Sequence, residues 1–196
     1  MNLNKLPTPI VIRRPLITIA ESISGGFILN QALEFIKYDS EEYYVYDHIV
    51  KGLMSPDSFD LVVTQLEQKG LLRSRVVDGY GSEYQLNSKE LEKAIEAYKF
   101  SPLELGESIV INPNLVTIAG TIAGGIVLEE LSTLNIYVGY ESFEPSGMTL
   151  EEFYLTTQGL LSKSLVKANS PHKPPAYKLN QEGFDKAIEE LGGQDG

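Results

Sequence analysis

Residues 10–35 read IVIRRPLITIAESISGGFILNQALEF, and about 99 residues later residues 109–134 read IVINPNLVTIAGTIAGGIVLEELSTL. Ile10-Val11-Ile12 returns as Ile109-Val110-Ile111, Thr18-Ile19-Ala20 as Thr117-Ile118-Ala119, and Gly25-Gly26 as Gly124-Gly125. The echo runs on through Met54, Phe59, Leu61, Leu66, Lys69 and Leu71, matched by Met148, Phe153, Leu155, Leu160, Lys163 and Leu165. Tyr84, Leu86 and Asn87 match Tyr177, Leu179 and Asn180, and Lys93-Ala94-Ile95-Glu96 matches Lys186-Ala187-Ile188-Glu189. The pattern is a tandem duplication of one small domain. Residues present in both copies are expected to be scaffold, and residues present in one are where function differs.

A repeat of roughly 95 residues is domain-sized rather than solenoid-sized. The expected layout is a domain over 1–99, a connector over 100–108 containing Pro102 and Gly106, and a second domain over 109–196. The chain has no cysteine, which excludes disulfides and thiolate metal sites. Without a long apolar run or a signal-like N-terminus, a soluble, cytoplasmic protein is expected, with no membrane partner.

The net charge of −11 is unevenly spread. Residues 1–99 hold 11 Lys and Arg against 14 Asp and Glu, whereas the remainder holds 5 against 13. All four arginines, Arg13, Arg14, Arg73 and Arg75, lie in the first copy. So acidic a chain is a poor electrostatic partner for nucleic acid as a whole, although one face of the first copy can still be basic.

Pro15 opens a helical stretch, Gly25-Gly26 is expected to break or bend it, and Phe27 to Ile36 continues as an apolar-striped helix. Residues 43–46 suit a short strand. Ser55-Pro56 marks a helix start, Phe59, Val62, Val63 and Leu66 follow at half-buried helical spacing, and Gly70 ends it. Residues 71–77 and 82–86 read as a hairpin around Asp78-Gly79-Tyr80-Gly81, after which Asn87 caps a last helix with Glu90 three residues on. The second copy repeats this grammar, with Thr149 and Glu152 opening its third helix, a strand over 165–168, a return strand over 177–179, and Asn180 as the last cap.

Helix, helix, strand, helix, hairpin, helix is an α+β, mainly helical order that resembles the winged helix. The likeness is carried most specifically by Leu66-Glu-Gln-Lys-Gly-Leu-Leu-Arg, similar to the recognition helix and wing of bacterial and phage winged-helix proteins. Residues 16–36, with their Ile-x-Gly-Gly, are similar to the opening helices of phage and plasmid replication-type winged helices. The resemblance implies two tandem winged-helix domains that bind DNA, RNA or protein.

In a DNA-reading winged helix the outward face of the third helix enters the major groove. Here that face would carry Asp57, Asp60, Thr64, Glu67 and Gln68 in the first copy, and Glu151, Tyr154, Gln158 and Leu161 in the second. Neither set has the Arg, Lys or Asn that reads base edges. Asp57, Asp60, Glu67, Glu151, Tyr154 and Gln158 are therefore candidates for protein contact, against the alternatives of a solvated acidic face and of a base-reading face. The first hairpin differs: Lys69, Arg73, Arg75 and Tyr80, with Arg13 and Arg14, are candidates for phosphate contact, the alternative being pairing with local carboxylates. Lys163, Lys167, Lys173 and His172 make a thinner set in the second copy.

The Gly-Gly pairs lack the further glycines and the lysine of a phosphate loop, so close helix packing or a helix break explains them better. Tyr43, Tyr44 and Tyr46 fit a strand better than a base-stacking surface. His48 and His172 have no metal-ligand spacing, and no nucleophile sits in a triad-like context. The reading is a non-enzymatic protein with no cofactor and no small-molecule substrate. In the leading expectation it is nucleic-acid-associated, of phage or plasmid type, the first wing touching DNA backbone and the acidic second domain making partner or homodimer contacts. The alternative is an acidic adaptor or inhibitor that docks on a basic, nucleic-acid-binding protein.

Overall fold

The computed structural model describes residues 8–36, 43–45, 53–78, 81–169 and 175–193. It is α+β and mainly helical, with small sheets. The chain divides into two compact units, one of residues 12–109 and the other of residues 1–11 with 110–196. The strands β1 (Ile10–Arg13) and β5 (Ser108–Ile111) form a two-stranded sheet.

In the first unit, β1 leads into helices α1 (Arg14–Ala20) and α2 (Ile23–Ile36), which meet at a bend of 119°. The bend lies at Glu21 and Ser22, upstream of the glycines. Glu21 takes a left-handed conformation, φ 59°, and the Ser22 Oγ accepts a hydrogen bond from the Gly25 N–H at 3.0 Å. Gly25-Gly26 therefore sits inside the first turn of α2 and does not break a helix, and of the two readings of the pair, break or close packing, packing is the one that holds. What the pair provides is proximity. A Cβ on Gly26 would lie 2.7 Å from the Ile17 Cα and 2.8 Å from its N. The turn of α2 thus rests on the backbone of α1, which lets Leu16, Ile17, Ile23, Phe27 and Ile28 bury together.

Helix α3 (Pro56–Gln68) starts as Ser55 and Pro56 predict, with the Ser55 Oγ accepting from the Ser58 N–H at 3.3 Å. It buries Phe59, Val62, Val63 and Leu66. A hairpin follows, β3 (Leu72–Val77) and β4 (Gly81–Leu86), with Leu72 opposite Leu86 and Arg75 opposite Glu83. The short β2 (Tyr44–Val45) pairs with the other edge of β4, giving the order β2-β4-β3. Tyr84 turns inward from β4 and meets the Phe59 ring edge-on at 5.1 Å. Helix α4 (Ser88–Tyr98) closes this part. Residues assigned to a connector form α5 (Pro102–Gly106), opened by a full capping box between Ser101 and Glu104, before β5.

The second unit repeats the order: α6 (Pro113–Ala119), α7 (Ile122–Leu134), two 3-10 turns over Tyr140–Ser142 and Glu144–Ser146, α8 (Leu150–Ser162), β6 (Val166–Ala168), β7 (Tyr177–Leu179) and α9 (Gln181–Gly192). Val138 bridges to Tyr177 where β2 meets β4 in the first unit. Thr121 caps α7 by accepting from the Gly124 N–H at 3.0 Å, and the bend between α6 and α7 is 108°. Phe143, Phe153 and Tyr177 form the aromatic centre, with ring centroids 5.1 and 5.6 Å from Phe153.

The two asparagines at the last helices do not cap them with their side chains. Instead Asn87 Nδ2 donates to the Gly70 carbonyl at 2.9 Å and Asn180 Nδ2 donates to the Ser164 carbonyl at 2.7 Å. Gly70 and Ser164 are the left-handed residues, φ 71° and 58°, that end the third helices. These donations tie the start of each last helix to the end of the third helix, at a carbonyl with no helical partner. Among the described residues no single helix is long and apolar enough to cross a membrane.

Candidate interaction faces of the two third helices

Sequence reasoning marks a basic group around the first hairpin, and most of its cations are tied to carboxylates. Arg75 sits across the hairpin from Glu83, and its Nε and terminal nitrogen reach Glu83 Oε2 at 2.8 and 2.7 Å. Its guanidinium also lies 3.8 Å from the centroid of the Tyr43 ring, a cation–π contact. Arg13 reaches Glu34 at 3.3 Å, and Arg14 reaches Glu107 at 3.5 Å. Lys69 reaches Glu21 at 2.7 Å, at the C-terminus of α1. Arg73 differs: it is exposed on β3 opposite Gln85 and makes no ion pair among the described residues. Tyr80, together with Tyr46, His48, His172 and Lys173, lies outside the described residues.

Lys69 has an exact counterpart in role, though not in partner. Lys163, at the end of α8, donates from Nζ to the Ala119 carbonyl at 2.7 Å. The equivalent of Glu21 is Gly120, left-handed at φ 81°, and the lysine fills the space a side chain there would take. In both copies the lysine thus serves the C-terminus of the first helix, where a cation is favoured by the aligned backbone dipoles.

The third helices present a different surface. On α3, Asp57, Asp60, Leu61, Thr64, Gln65 and Gln68 are exposed and Glu67 is half-buried. The negative field of this face is felt inside the unit. Burial, then the charges of Asp60 and Glu67, push the Tyr84 hydroxyl above its ordinary pKa against an opposing hydrogen bond with Ser82. On α8, Glu151, Leu155, Gln158 and Gly159 are exposed, and Glu152, Tyr154 and Leu161 are half-buried. Tyr154 leans on Phe153, with ring centroids 6.1 Å apart.

Leu61 and Leu155 were expected to be scaffold because both copies carry them. They are 52% and 60% exposed, whereas the repeated Phe59, Leu66, Phe153 and Leu160 on the same helices are buried. The missed signal is angular: at about 100° per residue, Leu61 and Leu155 lie opposite the stripe that those residues form. Repetition alone does not distinguish a core residue from a surface residue used twice.

Elsewhere, Glu129 on α7 is raised above the usual carboxylate range by burial and by Glu130 beside it. Among the described residues no cluster of three His, Asp or Glu is placed to hold a metal ion. No protein-family model, no curated protein and no solved structure matches the chain.

Proposed function

We propose that this chain is a non-enzymatic binding protein of two tandem winged-helix domains, and that it acts by docking on protein through the outward faces of its third helices. The helix, helix, strand, helix, hairpin, helix order and the sheet order β2-β4-β3 support the winged-helix reading. The observation that carries the functional reading is a contrast of surfaces. Arg13, Arg14, Lys69 and Arg75 are each engaged by a carboxylate, while Leu61 and Leu155 stand exposed among Asp57, Asp60 and Glu151. A phosphate must displace those carboxylates to use the cations, and it meets like charge at the third helices.

Contact with nucleic-acid backbone is the second reading, and Arg73 favours it. This cation is exposed on the wing, and Val76 near the wing tip is 81% exposed. Binding of duplex and single-stranded DNA at low and physiological salt separates the two. Protein docking predicts no salt-sensitive DNA binding. An affinity that falls steeply with salt and with Arg73→Ala establishes the second reading instead.

A further inference from the structure

Helix α8 carries more apolar surface than its duplicate. Leu155 is 60% exposed and Leu150 46% exposed, and Tyr154 and Leu161 are half-buried. One helical turn beyond Leu155 stands Gly159, exposed, where the first copy has Gln65. A glycine inside a helix costs about 1 kcal/mol relative to alanine. Close packing does not account for this one, since nothing lies within 4 Å of a Cβ built on it. Leu155 and Gly159 together form a knob beside a bare notch, the shape into which ridges of another helix pack.

The charge around the knob selects what packs there. Glu151 is exposed one turn before Leu155, Glu152 follows it, and α8 has neither Lys nor Arg. The part of the chain after residue 99 holds 5 Lys and Arg against 13 Asp and Glu. A second copy of this chain would bring α8 carboxylates against their own kind. We propose that the outward face of α8 docks a basic amphipathic helix of a protein partner, with an apolar stripe over Leu155 and Gly159 and Lys or Arg toward Glu151. The proposal rests on the protein-docking reading and assigns it a face and a partner chemistry.

The test uses the full chain and a fluorescein-labelled amphipathic peptide of leucine and lysine, roughly 18 residues long so that it forms about five helical turns. A scrambled peptide of the same composition is the control. The expected result is binding at least about tenfold tighter than the scramble, lost by about tenfold in Leu155→Ala and in Gly159→Gln, and kept in Ile136→Ala, which changes an exposed apolar residue outside both third helices. Gly159→Gln raises helix propensity, so a loss of binding there is not a loss of folding. Equal affinity for both peptides, or no change in the two α8 variants, overturns the proposal while leaving protein docking by another face intact. So does a wild-type dimer in sedimentation that Leu155→Ala dissociates, which identifies a second copy as the occupant. Salt-sensitive DNA binding, by contrast, removes the docking reading itself.

Discussion

Lys163 Nζ donates a 2.7 Å hydrogen bond to the carbonyl oxygen of Ala119, joining the end of α8 to the end of α6 across 44 residues of chain. Gly120 makes room for it, and in the first copy Glu21 answers Lys69 at the same place with a carboxylate. The repeated lysine is thus part of how each unit holds its third helix against its first.

Replacing Lys163 with Met leaves a helix-terminal carbonyl without its donor and is expected to cost about 1–2 kcal/mol. Lys69→Met breaks a pair whose side chains are 30% and 64% exposed, so its cost is expected to be below about 1 kcal/mol. Urea unfolding of the two variants ranks them; a larger loss for Lys69→Met contradicts the assigned roles.

Gly26→Ala places a Cβ against backbone atoms of Ile17, which cannot swing aside. The expected cost is about 3 kcal/mol. At Gly125 the nearest atom is the Val116 Cγ2 at 2.7 Å and the backbone lies at 3.1 and 3.2 Å, so Gly125→Ala is expected to cost about 1–2 kcal/mol. Thermal melts of both variants check the order.

The capping box at α5 has a pH signature. The Ser101 hydroxyl and then the Ser101 backbone N–H hold the Glu104 carboxyl below its ordinary pKa. A carboxylate lowered in the folded state stabilises it above the unfolded-state pKa, and that contribution disappears as pH falls through the lowered value. An NMR titration of Glu104 is expected to show the depressed value, and Ser101→Ala is expected to move it upward. An unchanged titration in the variant contradicts the cap.

Leu155→Ala and Phe153→Ala separate surface from core on adjacent residues. Phe153 is buried against Phe143 and Tyr177, and its truncation is expected to cost about 3–5 kcal/mol. Leu155 is expected to change stability by no more than about 0.5 kcal/mol. Equilibrium unfolding of the pair is the check, and a large loss at Leu155 would mean that it is scaffold after all.

Much of the fold was legible in the sequence because each copy reports on the other. Ser55-Pro56, the Phe59-to-Leu66 stripe and the hairpin around residues 78–81 are local signals, and each element stands within a residue or two of its expected place. What was not legible depends on contacts between elements. Gly25-Gly26 reads equally as a helix break or as close helix packing, and only the Ile17 backbone lying against it decides for packing. Asn87 and Asn180 stand at the N-cap positions expected of them, but their side chains donate to carbonyls 17 and 16 residues earlier rather than accepting from the first turn. The arginines of the first copy read equally well as phosphate ligands or as partners of local carboxylates. Only the geometry of Glu34, Glu83 and Glu107 distinguishes these for Arg13, Arg75 and Arg14.

The central claim is that Arg13, Arg14, Lys69 and Arg75 are engaged by carboxylates within the molecule and that binding belongs to the third-helix faces. Releasing the arginines tests it most directly, with Glu34→Gln, Glu83→Gln and Glu107→Gln combined in one chain and DNA binding compared with wild type across a salt series. The account predicts that wild type shows no salt-sensitive binding and that the triple variant gains it, with a steep dependence on salt. A wild-type chain that already binds with the affinity and salt slope of the variant would contradict it.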